Sequence, residues 1–113
     1  MILELVLFKS PPSMDRAAVL EDAKHTIPRW RANPDLLRKH YLLSEDGYGG
    51  GVYIWPSKAA ARKGHDAAWR ESVRQRTGAE PVIRYFDLLM VVDNENDSVT
   101  EWTESGEARP VGC

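Results

Sequence analysis

Cysteine is almost missing from this chain. Cys113, the last residue, is the only one, so an intrachain disulfide and a cysteine-rich metal site are both excluded, and the thiol is expected as an exposed terminal group. Long apolar runs are missing too. The longest, Leu5 to Phe8 and Leu88 to Val92, fall far short of the roughly 20 residues that cross a bilayer, so no membrane is expected as a partner. The run from Ile2 to Phe8 has no basic start and stops at Lys9-Ser10-Pro11-Pro12, which is not the pattern of a secretory signal; a cytoplasmic protein is the expectation. A basic excess is absent as well: 15 Lys and Arg stand against 17 Asp and Glu, for a formal charge of −2, which provides no bulk field for nucleic acid. With 113 residues there is room for one core and no second domain.

What is present is an ordered series of elements. Ile2 to Lys9 is apolar at nearly every position, as in a strand buried on both faces. Pro11-Pro12-Ser13 ends it and offers Ser13 as an N-cap, with Asp15 in the first helical turn. Met14, Ala17, Leu20, Ala23 or Lys24, Ile27 and Trp30 then recur at helical spacing, and Pro28 forces a kink or restart near Thr26. Asn33-Pro34-Asp35 is a turn. Leu36 to Ser44 reads as an edge strand, 45–49 as a hairpin loop, and Gly50 to Trp55 as the returning strand. Ser57 caps a helix over about 58–76, interrupted near Gly64 and closed by Gly78, and Val82 to Val92 is the last strand.

The order β-α-β-β-α-β is that of a ferredoxin-like α+β sandwich over residues 1–93. Two helices cover one face of a four-stranded sheet. Because the first and last strands are apolar on both faces, a second copy of the sheet is expected to cover the other, giving a homodimer. The segment 94–113 carries five acids and one arginine and reads either as a loose polar tail or as an arm that grips the partner.

Chemical motifs are few. Gly49-Gly50-Gly51 leads into a strand and not a helix, which points to a hairpin end approached closely by backbone or ligand, and away from a phosphate loop. His25, His40 and His65 lack the spacing of a metal site, and no serine sits in a nucleophile elbow. The aromatics Tyr41, Tyr53, Trp55, Trp69, Tyr85 and Phe86 are more telling. A hairpin with Tyr41 opposite Tyr53 and Lys39 opposite Trp55 puts these four on one sheet face, leaving Leu42, Val52 and Ile54 on the helix-packed face. An aromatic wall with a few polar tips suits a planar organic ligand; the same residues also suit an ordinary aromatic core.

Leu36 to Asp46, then Gly50-Gly51-Val52-Tyr53-Ile54-Trp55 and Ser57, resemble the strand-hairpin-strand core of the YdhR-type mono-oxygenases, and Gly78-Ala79-Glu80 leading to Arg84-Tyr85-Phe86-Asp87 resembles their last strand. These belong to the dimeric α+β barrel superfamily, beside the antibiotic-biosynthesis mono-oxygenases. The resemblance covers residues 2–93 and implies an oxidation without cofactor, in which a small aromatic or polyketide-like substrate is deprotonated and its carbanion reacts with O₂. It implies His40, or a water on Tyr41, as base and Lys39 or Arg84 as charge stabiliser, so His40, Tyr41 and Arg84 are the candidate catalytic residues. Lys39, Tyr53, Trp55, His65, Trp69 and Tyr85 are the candidate substrate-binding set, with no metal ligand and no cofactor. The alternative is a non-catalytic ligand-binding or stress-response module that uses the same pocket.

Overall fold

The computed structural model describes residues 1–112, so the terminal thiol of Cys113 lies outside the described residues. Four strands, β1 (Ile2–Lys9), β2 (Arg38–Leu43), β3 (Tyr48–Trp55) and β4 (Val82–Asp87), form one antiparallel sheet in the order β2-β3-β1-β4. This is the strand order expected of a ferredoxin-like sandwich, with the double-faced apolar strand β1 at its centre.

Each connecting helix is broken in two. The first splits into α1 (Arg16–Lys24) and α2 (Ile27–Arg31), because Pro28 has no N–H to continue the ladder and is accommodated in the first turn of a new helix. The N-cap is Asp15 and not Ser13: its carboxylate accepts from Ala18 N at 2.8 Å, after a turn closed by Met14 N donating to Pro11 O has carried Ser13 past the start. The second splits into α3 (Lys58–Gly64), capped by Ser57, and α4 (Ala67–Thr77), capped by Asp66 and closed by Gly78 at φ 77°. Gly64 is fixed by packing, since a Cβ there would lie 2.5 Å from the Trp55 indole. Gly50 is fixed by its backbone: at φ +143° a Cβ would meet Val6 O at 1.9 Å, so the glycine run serves close approach of strand to strand.

Two expectations about the sheet need correction. The hairpin register is shifted by two, placing Lys39 opposite Tyr53 and Tyr41 opposite Gly51. A shift of two preserves side-chain parity, so Lys39, Tyr41, Tyr53 and Trp55 still share a face. That face, however, is the one the helices cover. The core of Val6, Trp30, Tyr53, Trp55, Ala61, Trp69 and Val73 joins it to α2, α3 and α4. Leu3, Leu5, Leu7, Val52, Ile54 and Phe86 fall on the other face by strand alternation, opposite the helices.

The last strand is also shorter than expected. It ends at Asp87, and β5 (Met90–Asp93) belongs to a second antiparallel sheet with β6 (Ser98–Trp102) and β7 (Ala108–Pro110). Leu88 N donates to Met1 O and Trp102 N to Leu89 O, so the chain crosses from one sheet to the next at residues 88–89. The radius of gyration is 15.6 Å, against about 13 Å for a compact chain of this length. The small sheet stands off the sandwich, with Leu89, Met90 and Val92 more than half exposed.

Candidate functional site

The apolar stripe of α1 does not enter the core; no residue of α1 is buried. Met14, Leu20 and Ala23 instead roof a cavity of about 880 Å³ whose floor is Lys39, Tyr41 and Tyr53 of the sheet and whose walls include Trp30 and Trp69. That volume lies in the range of small-molecule sites.

Lys39 is its central polar group. The ammonium nitrogen lies 4.6 Å from the Trp30 ring centroid, 3.9 Å from that of Tyr41 and 4.7 Å from that of Tyr53. Among the described residues no carboxylate approaches it within 4.0 Å. Burial, and then the neighbouring Arg29 guanidinium, lower its pKa from 10.5 to about 7. Neutral and charged amine are therefore both populated near neutrality, the condition for a general base at that pH.

The two tyrosines act differently. Thr26 Oγ1 donates its single proton to Ala23 O at 2.7 Å, so in the 2.6 Å contact with Tyr41 the phenol must donate to Thr26. The Tyr41 proton is thus committed to the helix. Burial, reinforced by the Glu4 carboxylate, pushes the Tyr53 phenol well above its ordinary pKa of 10.0, so it stays protonated.

Behind the aromatic wall lies a buried polar group that the sequence conceals within an apolar strand. Glu4 is wholly buried; its Oε1 accepts from Trp55 Nε1 at 2.9 Å and lies 2.8 Å from His65 Nδ1. With Glu4 ionised, Nδ1 carries the proton and donates. The His65 ring meets Tyr53 and Trp69 edge-on, with centroids 4.4 Å away in both cases, and so braces the cavity floor and one of its walls. Among the described residues Glu4 Oε2, His65 Nε2 and Tyr85 Oη have no hydrogen-bond partner.

No protein-family profile and no curated protein matches the chain. Solved structures do. A monooxygenase from the gene ActVA-Orf6 of Streptomyces coelicolor, solved with the ligand nanaomycin D, superposes with TM-score 0.62 at 22% identity, covering 80% of this chain and 89% of that one. An antibiotic biosynthesis monooxygenase superposes with TM-score 0.59 at 14% identity over 82% of this chain and all of the other. Rv0793 of Mycobacterium tuberculosis gives 0.55 at 14% identity, over 82% and 96%. The fold is that of the antibiotic biosynthesis monooxygenases.

On this monooxygenase-type fold the expected site residues divide into three groups. Lys39, Tyr41, Tyr53 and Trp69 line the cavity. Trp55, His65 and Tyr85 are on the helix side but do not line it; Trp55 and His65 form the buried group with Glu4, and the Lys58 amine lies 5.2 Å from the Tyr85 ring centroid. His40 and Arg84 do not reach it. They alternate onto the opposite sheet face, His40 paired with Val52 and Arg84 with Leu5 beside Phe86. Sequence reasoning missed Trp30, Arg29 and Thr26. Trp30 appeared only as the last member of a helical stripe, and the break at Pro28, which turns it towards the sheet, was the available signal. Glu4 was recoverable as the one carboxylate inside the apolar run Ile2 to Phe8. Among the described residues there is no cluster of three metal-ligating side chains, and no helix is long and apolar enough to cross a membrane.

Proposed function

We propose that this chain is a cofactor-independent mono-oxygenase of the YdhR type, acting in the cytoplasm as a homodimer on a small aromatic or polyketide-like molecule held in the helix-side cavity. The observation that carries the reading is Lys39: an amine with no carboxylate within 4.0 Å among the described residues, poised near neutral pH, on the floor of an aromatic-walled space. A substrate ring stacks against Trp30 and Tyr53, and neutral Lys39 removes the proton from its activated carbon. The ammonium so formed stays beside the developing oxyanion and stabilises it, while the rings exclude water. The carbanion then reacts with O₂; for an anthrone, the CH₂ group and one O₂ become a carbonyl and one water.

The solved neighbour that holds nanaomycin D supports a ligand role for this fold. The apolar face opposite the helices supports pairing with a second copy, and the β5–β7 sheet supports the role of a clasp on that copy.

The test is O₂ uptake by protein freed of metal and flavin, with anthrone as substrate. Turnover above background, with one O₂ consumed per carbonyl formed, supports the reading. Saturable binding without turnover across a panel of anthrones and quinols sinks it and leaves a ligand-binding module.

A further inference from the structure

The charges around the cavity are distributed unlike those of the chain. Of the 15 lysines and arginines, five line it, Lys9, Arg16, Arg29, Lys39 and Arg76, whereas of the 17 acids only Asp22 does. A protein of net charge −2 has thus gathered a third of its cations at one opening. None of the five makes an ion pair among the described residues. They also divide by position. Lys9, at the end of β1, Arg16, at the start of α1, and Arg76, near the end of α4, are exposed and form the rim. Arg29, also exposed, and the half-buried Lys39 flank the Trp30 ring, with Arg29 Cζ 4.8 Å from its centroid and Arg29 Nη2 donating to Gly64 O at 3.1 Å.

A rim of unpaired cations over an apolar cleft focuses a positive potential into it. Arginine in particular presents a planar fork that matches a carboxylate. We infer that the substrate is an aromatic acid, its ring against Trp30 and Tyr53 and its carboxylate at the rim, received by Arg16 and Arg76. This rests on the oxygenase reading for its chemistry but not for its binding. It also sets orientation: the anionic end stays at the rim, which places the opposite, reactive end of the ring beside Lys39. Near neutral pH the charge facing an incoming ligand from α1 and α4 is Arg16 and Arg76, offset by Asp22 of α1. From α2 and the sheet it is Arg29, Lys9 and Lys39, the last set among Tyr41 and Tyr53.

The experiment uses two probes of the same ring, 9-anthracenecarboxylate and 9-anthracenemethanol, titrated against the full chain by quenching of tryptophan fluorescence. The expected result is at least about tenfold tighter binding of the carboxylate at low salt. The preference falls as salt is raised from about 0.02 to about 0.5 M, where screening shortens to a few Å. In the R16Q/R76Q double variant the preference drops to within about threefold while the neutral probe keeps its affinity, which also shows that the cavity is intact. Equal affinity for the two probes, tighter binding of the neutral one, or a preference unchanged in the double variant overturns the inference. O₂ uptake with an anthrone carboxylic acid against plain anthrone separates the two claims. Carboxylate preference without turnover of either sinks the oxygenase reading alone; faster turnover of plain anthrone sinks the acid substrate alone.

Discussion

Replacing Lys39 with methionine keeps a flexible apolar stem among Trp30, Tyr41 and Tyr53 and removes only the amine. In the native protein the amine titrates at about 7, against 10.5 when solvated, so between those values the unfolded chain binds more protons than the folded one. Stability therefore rises with pH from about 7 to 10.5 and is lowest below 7, where the folded state must hold a charge in a part-buried site. At 1.36 kcal/mol per pH unit the full window corresponds to about 5 kcal/mol. That figure is a ceiling, because partial exposure and the three ring faces favour the cation, and a cost of about 2 kcal/mol or more is the expected one. Lys39→Met removes that cost: urea denaturation followed by fluorescence at pH 6 and pH 9.5 is expected to show the variant more stable than wild type at pH 6 by about 2 kcal/mol or more, with the gap closing at pH 9.5. The same variant loses turnover with anthrone. A variant less stable than wild type at pH 6, or a gap that widens with pH, refutes the assignment of a burdened amine to this floor.

Glu4→Ala leaves His65 Nδ1 and Trp55 Nε1 buried without their shared acceptor, and is expected to cost about 3 kcal/mol or more in urea denaturation; a loss under about 1 kcal/mol contradicts a structural role for the group. Gly64→Ala puts a methyl against the Trp55 indole and is expected to destabilise by about 1 to 3 kcal/mol, read as a lower thermal midpoint with a shifted Trp55 environment in near-UV circular dichroism. Leu5→Asp places a charge in the centre of the face opposite the helices and is expected to convert a dimer into a monomer in light scattering; an unchanged mass places the dimer contact elsewhere.

Much of the fold was legible because its breaks are written in residues with one physical meaning. Pro28 splits the first helix, Ser57 and Gly78 bound the second, and the doubly apolar Ile2 to Phe8 marks the central strand. Three features were not legible, each for a definable reason. Which face the helices cover was hidden because both faces are apolar, so alternation distinguishes the faces without naming the covered one. The register slipped by two because parity is blind to such a shift; it is set by the turn, where Ser44 N donates to Tyr48 O and Gly47 takes φ 87°. The end of the last strand was hidden because Leu88 to Val92 continues the apolar pattern, and only the bonds of Leu88 to Met1 and of Trp102 to Leu89 carry it to another sheet. The site followed the face. Lys39, Tyr41 and Tyr53 were found together because parity holds, whereas His40 and Arg84 were lost by the same parity.

The central claim is that the ligand sits on the helix side of the sheet, against Lys39, and not between the sheets of a dimer. The most direct measurement is a crystal structure with an anthrone-class ligand bound. The account predicts its ring against Trp30 and Tyr53 with a reacting atom within hydrogen-bond reach of Lys39 Nζ. A ligand lodged on the opposite face, beside His40 and Arg84, would contradict it.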